Sequence, residues 1–348
     1  MSRMKTMKVA MYYNNNDVRI EEQPVPTIGD QELLVKIVAS GICGSDVMEW
    51  YRIKKAPRVL GHEITGDIVE VGALVKNYKV GDRVFVSHHV PDNTCRFCLN
   101  NQHTLCHTLH STNFSPGGFA EYVRIPAINV DRGTFLLPDN VSYEEGVFIE
   151  PLACVIRGLR IASMKPGSSV LIIGSGISGL LFIKLARAWG AGRVIATDID
   201  PYRLNAAKKA GADQAVNAKD NVPEEIQKQN GGCLADLVVI ATGALSAVQQ
   251  GLRSVQDGGT ILFFAPTEPG RDIPFPLFDL WNKQITMVST YAGSPKDIEL
   301  AIDLLAQRRL AVTDMITHRL PLEDAAKGFR LVAHAQNSIK VVIEPGMK

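Results

Sequence analysis

The stretch Val170-Leu-Ile-Ile-Gly-Ser-Gly-Ile-Ser-Gly179 decides the fold of this chain. Its first four residues are apolar, which is typical of a strand buried on both faces of a parallel sheet. The strand leads directly into a G-x-G-x-x-G turn that opens a long predicted helix. Asp198 ends the next predicted strand, 19 residues after Gly179. Together these features predict a doubly wound Rossmann domain that binds a dinucleotide.

Each residue of the glycine turn has a distinct task in that interpretation. Gly174 permits the tight turn, Gly176 lets the backbone approach the pyrophosphate, and Gly179 lets the helix pack closely on the strand. From Ile177 onward, the first turn of the helix offers unpaired N–H groups and a partial positive charge to the phosphates.

The residues expected at the ribose indicate which cofactor binds. Asp198 can accept hydrogen bonds from both ribose hydroxyls and would repel a 2′-phosphate, so the sequence favours NAD over NADP. Arg203 has two interpretations, either a solvated helix residue or a group that lies over the adenine ribose.

The chain before the glycine turn is rich in strand patterns. Strands predicted at residues 8–13, 32–39, 64–71 and 83–87 indicate a compact β-barrel-like first region. After the turn, strands at residues 193–197, 214–217, 236–241 and 260–264 follow at βαβ spacing. We therefore predict an α/β protein of two domains, because 348 residues exceed one ordinary core. The Rossmann domain is expected at residues 153–293, and the β-rich domain at residues 1–152 and 294–348, with a last strand at 339–343.

A helix start is predicted where the β-rich region ends. Ser142 with Glu145 forms a capping-box pattern that opens a helix toward Gly158. Pro151 is expected to kink this helix just after Glu150. The kink would either turn the carboxylate toward a site or serve packing alone.

Four residues from distant segments supply the ligand types of catalytic zinc. Cys43, His62, Glu63 and Glu150 offer a thiolate, an imidazole and carboxylates, which hold zinc while one position stays open for substrate. The fold would have to bring three segments together around one metal. The alternative is a buried cysteine, a satisfied histidine and a helix-start carboxylate.

A second cluster has the spacing of a structural zinc site. Cys95 and Cys98 form a C-x-x-C pair, and Cys106 follows. Four-coordinate structural zinc needs one more ligand, and Asp92, three residues before Cys95, is the candidate. Two histidines compete for that place, at positions 103 and 107. The alternative is a loop with spare thiols.

Composition excludes several classes of function. With 37 Lys+Arg against 36 Asp+Glu, no strong field draws the chain to nucleic acid or to an anionic membrane. The N-terminal residues lack the apolar core and cleavage site of a signal peptide. Six cysteines without such a signal indicate the reducing cytoplasm, where clustered cysteines more often bind metal than pair.

Taken together, these motifs resemble the zinc-dependent medium-chain alcohol dehydrogenase family, in its sorbitol (polyol) dehydrogenase-like branch. The resemblance covers essentially the whole chain. It rests on Gly41-Ile-Cys-Gly-Ser-Asp46, Gly61-His-Glu63, Val80-Gly-Asp-Arg83, the Asp92 and cysteine cluster, Gly117-Gly-Phe-Ala-Glu-Tyr122, Glu150-Pro-Leu152 and the glycine turn.

The resemblance implies a GroES-like catalytic domain and hydride transfer between NAD and a secondary alcohol, such as a polyol or sugar alcohol. It assigns catalytic zinc to Cys43, His62 and either Glu63 or Glu150, since the two glutamates exchange as ligands in this family. Bound zinc lowers the pKa of a hydroxyl group from about 16 toward roughly 7. Ser45 would take the alcohol proton and pass it to the cofactor ribose. Two zinc ions per chain and a homodimer or homotetramer are also implied.

Three departures from the family pattern concern details of this site. Met48 stands where family members often have the histidine that finishes the proton relay, so the relay would end in water, in a side chain such as His88 or His89, or in no particular group. Asp92 replaces the common first cysteine of the structural site. Thr290 stands where sorbitol dehydrogenases tend to have arginine, which disfavours sorbitol itself as the substrate.

Other functions remain as alternatives. An L-threonine 3-dehydrogenase-like enzyme would oxidise an amino alcohol with the same zinc chemistry. A zinc-free quinone reductase-like protein would not need the four candidate ligands together. A binding protein that kept only the fold would be expected to lose ligands or glycines, and this chain has both sets.

Overall fold

The computed structural model describes residues 6–335 and 337–347. The chain divides into two compact units, one formed by Met1–Ala153 with Gly293–Lys348 and the other by Cys154–Ala292. Each unit has its own sheet and its own buried apolar core.

The strands run in chain order as β1 (Thr6–Asn14), β2 (Asp17–Pro24), β3 (Leu33–Gly41), β4 (Arg58–Val59), β5 (Glu63–Val71), β6 (Arg83–Ser87), β7 (Tyr122–Ile125), β8 (Thr134–Leu136), β9 (Ser169–Ile173), β10 (Arg193–Asp198), β11 (Gln214–Asn217), β12 (Ala235–Ile240), β13 (Val255–Phe263), β14 (Thr286–Ser289), β15 (Ile316–Pro321) and β16 (Lys340–Glu344).

The α-helices are α1 (Glu49–Arg52), α2 (Arg96–Leu99), α3 (His107–Ser111), α4 (Ala127–Gly133), α5 (Tyr143–Gly146), α6 (Ile149–Ile161), α7 (Ile177–Ala188), α8 (Pro201–Lys209), α9 (Val222–Gln229), α10 (Leu245–Ser254), α11 (Leu277–Asn282), α12 (Pro295–Ala306) and α13 (Ala325–Ala333). Short 3-10 turns lie at Gly44–Val47, Ile53–Lys55, His103–Leu105, Thr313–Met315 and Leu322–Asp324.

The first unit is built on a largely antiparallel sheet with the strand order β15-β16-β3-β5-β6-β8, in which β7 also pairs with β3. A smaller sheet, β2-β1-β4, accompanies it. Buried apolar side chains of this sheet form one cluster, which includes Ile37, Ile64 and Val84, each at most 1% exposed. The β-rich character predicted for this part of the chain follows from alternating apolar residues that face this core.

The register of this sheet brings distant segments to one end. Gly41, the last residue of β3, pairs with Glu63, the first residue of β5, and Glu63 in turn pairs with Ser87, the last residue of β6. The residues just beyond these pairs, among them Cys43 and His62, must therefore lie close together. Strand pairing thus brings the ends of three strands that are distant in sequence to the same end of the sheet.

The second unit is a parallel sheet with the order β11-β10-β9-β12-β13-β14. Counted from β9, this is the 3-2-1-4-5-6 order of a doubly wound dinucleotide-binding fold. Strand β9 is wholly buried, as the apolar run at residues 170–173 predicts, and β12 is almost wholly buried as well. The predicted fold class is confirmed: a β-rich domain together with a Rossmann-type parallel sheet.

The helix start at Ser142 is confirmed, but the predicted course of the helix is wrong. Ser142 and Glu145 form the capping box with N–O distances of 3.1 and 2.8 Å. The helix then ends at Gly146, and α6 begins afresh at Ile149. Pro151 lies in the first turn of α6, where the missing N–H has no partner to lose, so it does not interrupt that helix. No helix among the described residues is both long and apolar enough to cross a membrane.

Candidate metal centres and dinucleotide site

Three of the four residues predicted to bind catalytic zinc converge at this end of the first sheet, where β3 and β6 end and β5 begins. One ligand atom from each of Cys43, His62 and Glu63 lies within 4.8 Å of the other two. Ligands bound at about 2.0–2.3 Å in a tetrahedral zinc shell lie roughly 3.3–3.8 Å apart, so the group fits one ion once its ligand atoms draw together by about 1 Å at most. Glu150 is not a member of this group; it lies half-buried at the start of α6.

Asp46 orients two of these ligands. Its carboxylate, 0% exposed, accepts from the backbone N–H of Cys43 at 3.1 Å and lies 3.3 Å from His62 Nδ1. With Nδ1 held in this way, Nε2 of His62 is left for a metal. Burial alone would raise the pKa of Asp46, but His62, Arg52 and the Cys43 N–H together hold it below its ordinary value. The sequence motif contained Asp46, yet this orienting role was not predicted.

Glu63 also contacts a buried cation that sequence reasoning missed. The Lys340 ammonium forms an ion pair with Glu63 Oε2, and the two side chains are 0% and 1% exposed. Lys340 Nζ also lies 5.6 Å from the centre of the Phe148 ring. The pair leaves no space beside Gly41, where an added Cβ would lie 2.1 Å from Glu63 Oε2 and 2.7 Å from Lys340 Cε. Glu63 therefore faces both the candidate metal position and a fixed positive charge.

A row of histidine rings continues from His62. The rings of His62 and His88 have centroids 4.8 Å apart, and those of His88 and His89 are 3.8 Å apart. Burial, reinforced by neighbouring cations, lowers the pKa of His88 well below its ordinary value and that of His89 to about 3. Both rings are therefore neutral at pH 7. His88 Nδ1 is buried and has no hydrogen-bond partner among the described residues.

Ser45 lies against the candidate metal centre. Its backbone N–H donates to Cys43 Sγ at 3.4 Å, and its hydroxyl oxygen accepts from Arg52 at 3.0 Å. Met48, which has no proton to transfer, is half-buried at the beginning of α1.

The residues predicted for structural zinc also converge. Ligand atoms of Asp92, Cys95, Cys98 and Cys106 all lie within 4.8 Å of one another, and neither of the competing histidines belongs to the group. Cys95 Sγ is 3.6 Å from Cys98 Sγ, and Cys106 Sγ is 3.3 Å from Asp92 Oδ2. Three sulfurs and one carboxylate oxygen make the four-ligand set that tetrahedral zinc requires.

The two carboxylate oxygens of Asp92 have different surroundings. Oδ1 accepts from the backbone N–H groups of Thr94 and Cys95, both at 2.8 Å. Oδ2 faces Cys106 and the Thr108 hydroxyl. The backbone donors lower the pKa of Asp92, which keeps it ionised. The loop thus holds one oxygen and presents the other to the cysteines, so the residues fit a zinc ion.

The glycine turn has the backbone geometry that a bound dinucleotide needs. Gly174 has a φ of +95°, which L side chains rarely adopt, and a Cβ on Gly179 would lie 1.9 Å from the Gly174 carbonyl oxygen. Gly176 precedes α7, which begins at Ile177. A Cβ on Gly176 would meet only Arg203 Nη1, at 3.9 Å. The turn is therefore open on the side that faces Arg203.

Asp198 and Arg203, the two residues predicted to lie near the ribose, are both next to the glycine turn. Asp198 is 7% exposed at the end of β10, and its carboxylate accepts from the Ser175 and Asp200 backbone N–H groups at 2.8 and 3.0 Å. These bonds to the turn itself were not predicted. Arg203 Nε is buried without a hydrogen-bond partner among the described residues, so the guanidinium retains an unused donor beside the glycine turn.

Comparison with known proteins shows the family of the chain. The family model of the alcohol dehydrogenase GroES-like domain matches residues 29–134, and that of the zinc-binding dehydrogenase matches residues 178–307. The chain is 34% identical over 343 residues to "Probable D-xylulose reductase A" of Aspergillus clavatus, covering 94% of each chain. It is also 34% identical over 337 residues to the sorbitol dehydrogenase of Mus musculus, covering 94% of this chain and 93% of that protein.

A solved structure is similar over nearly the whole chain. A Sinorhizobium meliloti 1021 protein, whose crystal structure contains NADP, superposes with a TM-score of 0.88 at 28% identity. The match covers 98% of the present chain and 100% of that one.

Proposed function

Because the chain belongs to the zinc-dependent medium-chain alcohol dehydrogenases, we propose that it transfers a hydride between a polyol and NAD. Its membership of the family makes it an oxidoreductase that uses zinc and NAD(P). The observation that carries the proposal is the convergence of Cys43, His62 and Glu63 in a chain that also has the open glycine turn. A quinone reductase-like function without zinc gives no reason for that convergence.

In this proposal, Cys43 and His62 hold the catalytic zinc together with Glu63 or Glu150. When bound, zinc supplies Lewis-acid charge that favours loss of the alcohol proton. Asp46 fixes the ring of His62, because the histidine can present only one nitrogen to the metal while the other stays within 3.3 Å of the carboxylate. Lys340 compensates the negative charge of the buried Glu63 carboxylate. Without Lys340, the bound zinc alone would have to compensate that charge.

The polyol class is supported by the neutral histidine row and by the relatives. His88 remains uncharged at pH 7, and its Nδ1 has no partner among the described residues, so it can form a hydrogen bond with a hydroxyl group without attracting an anion. The relatives at 34% identity include one enzyme named for D-xylulose and one named for sorbitol. A substrate with a hydroxyl group beside the reacting carbon suits both observations.

The choice of NAD is supported by the charge at the end of β10. The buried Asp198 carboxylate would repel a 2′-phosphate and can still accept from ribose hydroxyls, because each carboxylate oxygen has two lone pairs. Arg203 opposes this preference, since its unused donor lies near the same turn. We propose that Asp198 dominates, because it is fixed by two backbone hydrogen bonds.

A homodimer is proposed for the assembly. Strand β14 lies at the end of the parallel sheet, where its outer backbone groups have no neighbouring strand among the described residues. Close in sequence, α11 exposes Leu277, Phe278 and Trp281 by 73%, 72% and 69%. An open strand edge beside exposed apolar side chains favours pairing with a second copy.

A substrate screen tests the function. The zinc-loaded chain is mixed with NAD and then with NADP, and the absorbance of the reduced cofactor is followed with polyols, sugars and threonine. We expect turnover with at least one polyol and preference for NAD. Turnover with threonine alone would show that the substrate is an amino alcohol and not a polyol. Reduction of quinones by zinc-free protein would refute the zinc chemistry.

The Cys43→Ser variant is the matched test of the metal assignment. It should abolish turnover but retain binding of NADH, because the glycine turn belongs to the other unit. Cys233→Ser, at an exposed cysteine, is the control and should keep full activity. Substantial turnover by Cys43→Ser free of wild type would exclude Cys43 as a ligand.

A further inference from the structure

Arg52 makes contacts at the candidate catalytic centre that the functions assigned above do not use. It is the last residue of α1, and its side chain is only 15% exposed. Its Nε donates to the Ser45 carbonyl at 2.9 Å, and its Nη2 donates to the Ser45 hydroxyl oxygen at 3.0 Å. The same Nη2 lies 3.4 Å from Asp46 Oδ1. One guanidinium thus holds two consecutive residues of the turn that follows Cys43.

The direction of the bond to Ser45 is fixed by chemistry. A guanidinium carries only donors, so the Ser45 hydroxyl oxygen must accept from Arg52. The hydroxyl hydrogen is then free to point toward a different acceptor, and the orientation of the hydroxyl is restricted. Because the Ser45 backbone also donates to Cys43 Sγ at 3.4 Å, this oriented hydroxyl belongs to a residue in contact with the proposed metal ligand.

Met48 and Arg52 can both be excluded as proton carriers at this place. Its thioether cannot carry a proton, so no relay passes through position 48. Its carbonyl accepts from the backbone N–H groups of Tyr51 and Arg52 at 2.9 and 3.1 Å, which forms the short helix that returns Arg52 to Ser45. Arg52 cannot accept a proton either, since its guanidinium stays charged. What it offers is a hydrogen bond of fixed direction and a positive charge.

We propose that Arg52 is a positioning residue for the dehydrogenase reaction: it fixes the orientation of the Ser45 hydroxyl toward the substrate oxygen and stabilises negative charge that develops there. This inference rests on the proposed function. The role is carried through Ser45 rather than through the metal ligands. Asp46 keeps two other partners, the Cys43 N–H and His62, when Arg52 is removed.

The test compares Arg52→Ala, Ser45→Ala and the double variant in the zinc-loaded full chain. Hydrogen bonds from charged groups contribute enough that kcat/KM of Arg52→Ala should fall roughly ten- to hundredfold. Zinc content per chain and the Kd for NADH should stay unchanged. The double variant should lose no more activity than Ser45→Ala alone, because Arg52 acts through that hydroxyl.

Chemical rescue adds a readout that a structural role would not move. Guanidinium chloride at millimolar concentration should restore activity severalfold to Arg52→Ala, but not to Ser45→Ala or to the double variant. Lys54→Ala removes an exposed cation from the adjoining turn and should behave as wild type, without rescue. Arg52→Lys should recover only part of the activity, because an ammonium cannot reproduce the planar fork of donors.

Several outcomes would overturn the inference. Loss of zinc from Arg52→Ala would make it a support of the metal site through Asp46. Additive losses in the double variant, or unchanged kcat/KM in Arg52→Ala, would exclude action through Ser45. The coupling is also measured without turnover, as a nonadditive change in the free energy of unfolding across the same variants. A wild-type chain that oxidises no alcohol, although this coupling is present, refutes the proposed function; an active wild type with additive variants refutes the role of Arg52 alone.

Discussion

Lys340 brings a fully buried positive charge to the candidate centre. Its ammonium and the Glu63 carboxylate are removed from water together, at 0% and 1% exposure. Removing one member of such a pair leaves the other charge buried without compensation, which typically costs about 3–5 kcal/mol. Zinc bound by Glu63 would supply a substitute positive charge.

We therefore expect Lys340→Met to destabilise the zinc-free chain strongly and the zinc-bound chain much less. Urea unfolding with and without a chelator measures both. The double variant Lys340→Met with Glu63→Gln removes both charges and should recover much of the loss. Lys8→Ala, which breaks an exposed pair with Glu323, is the control and should change little. Equal destabilisation with and without zinc would contradict a place for Glu63 at the metal.

Cofactor choice is also decided by single residues. Asp198→Ser removes the charge that repels a 2′-phosphate, so kcat/KM for NAD should fall and that for NADP should rise. The variant also leaves the Ser175 and Asp200 N–H groups without their acceptor, which weakens the turn for both cofactors. The ratio of the two kcat/KM values cancels this shared damage and is the quantity to compare.

Arg203 supplies the control for that experiment. Adding Arg203→Ala to Asp198→Ser should remove much of the gain for NADP, because the guanidinium of Arg203, whose Nη1 would lie 3.9 Å from a Cβ on Gly176, is the cation beside the open turn. If Asp198→Ser leaves the ratio of the two kcat/KM values unchanged, Asp198 does not lie at the ribose and serves only to hold the glycine turn.

At the scale of elements, the segment around α2 depends on its ligands. Its small buried cluster consists of Cys98, Cys106 and Leu109, with Cys95 packed against them, so only one member is aliphatic. Leu99 and Leu105 are 72% and 51% exposed and contribute little. Since metal binding supplies folding free energy where an apolar core is missing, zinc would be the main stabilising element here.

Asp92→Ala should lower the zinc content from two ions per chain toward one and reduce Tm, while kcat per folded chain changes little. Asp92→Cys should keep the second zinc or bind it more tightly, because it restores a fourth thiolate. Elemental analysis and thermal unfolding check both variants. One zinc per chain in the wild type, unchanged by Asp92→Ala, would show that the cluster consists of free thiols.

Elements whose signals are local were predictable from the sequence. Strands β6 and β11 have the predicted bounds, and the capping box at Ser142 is present, because each depends on residues a few positions apart. The break before Ile149 was misplaced, since the sequence alone does not tell whether Pro151 lies inside a helix or in its first turn. Strands β14 and β15 are short or weakly alternating and were not predicted.

At the scale of the whole molecule, long-range pairing limited prediction of the site. The ligand residues were recognisable by type, but their approach depends on the register that joins Gly41, Glu63 and Ser87. Lys340 meets Glu63 across 277 positions, and nothing local to either residue indicates the contact. Arg52 lies seven positions from Ser45, yet its contact depends on two successive turns. The metal roles of these ligands stay predictions, and so does the choice between Glu63 and Glu150.

The open edge of the parallel sheet leads to a prediction for the assembled protein. The Thr290 N–H donates to the Phe263 carbonyl at 3.3 Å, so alternation along the strand directs the backbone groups of Met287 and Ser289 away from β13. A two-fold axis beside β14 would pair it with the same strand of a second copy and continue the sheet through both. Such an interface would also bring the exposed side chain of Met287, 42% exposed, close to its counterpart.

Met287→Pro should therefore dissociate the dimer without unfolding the chain. Proline removes an N–H that points to the open edge, and the bonds of β14 to β13 do not use it. Light scattering after size-exclusion chromatography should give a dimer, or a tetramer built from it, for the wild type and for Met287→Ala, and a monomer for Met287→Pro. Zinc content and the far-UV spectrum should not change. A wild-type monomer, or a Met287→Pro variant that remains a dimer, would exclude pairing through β14.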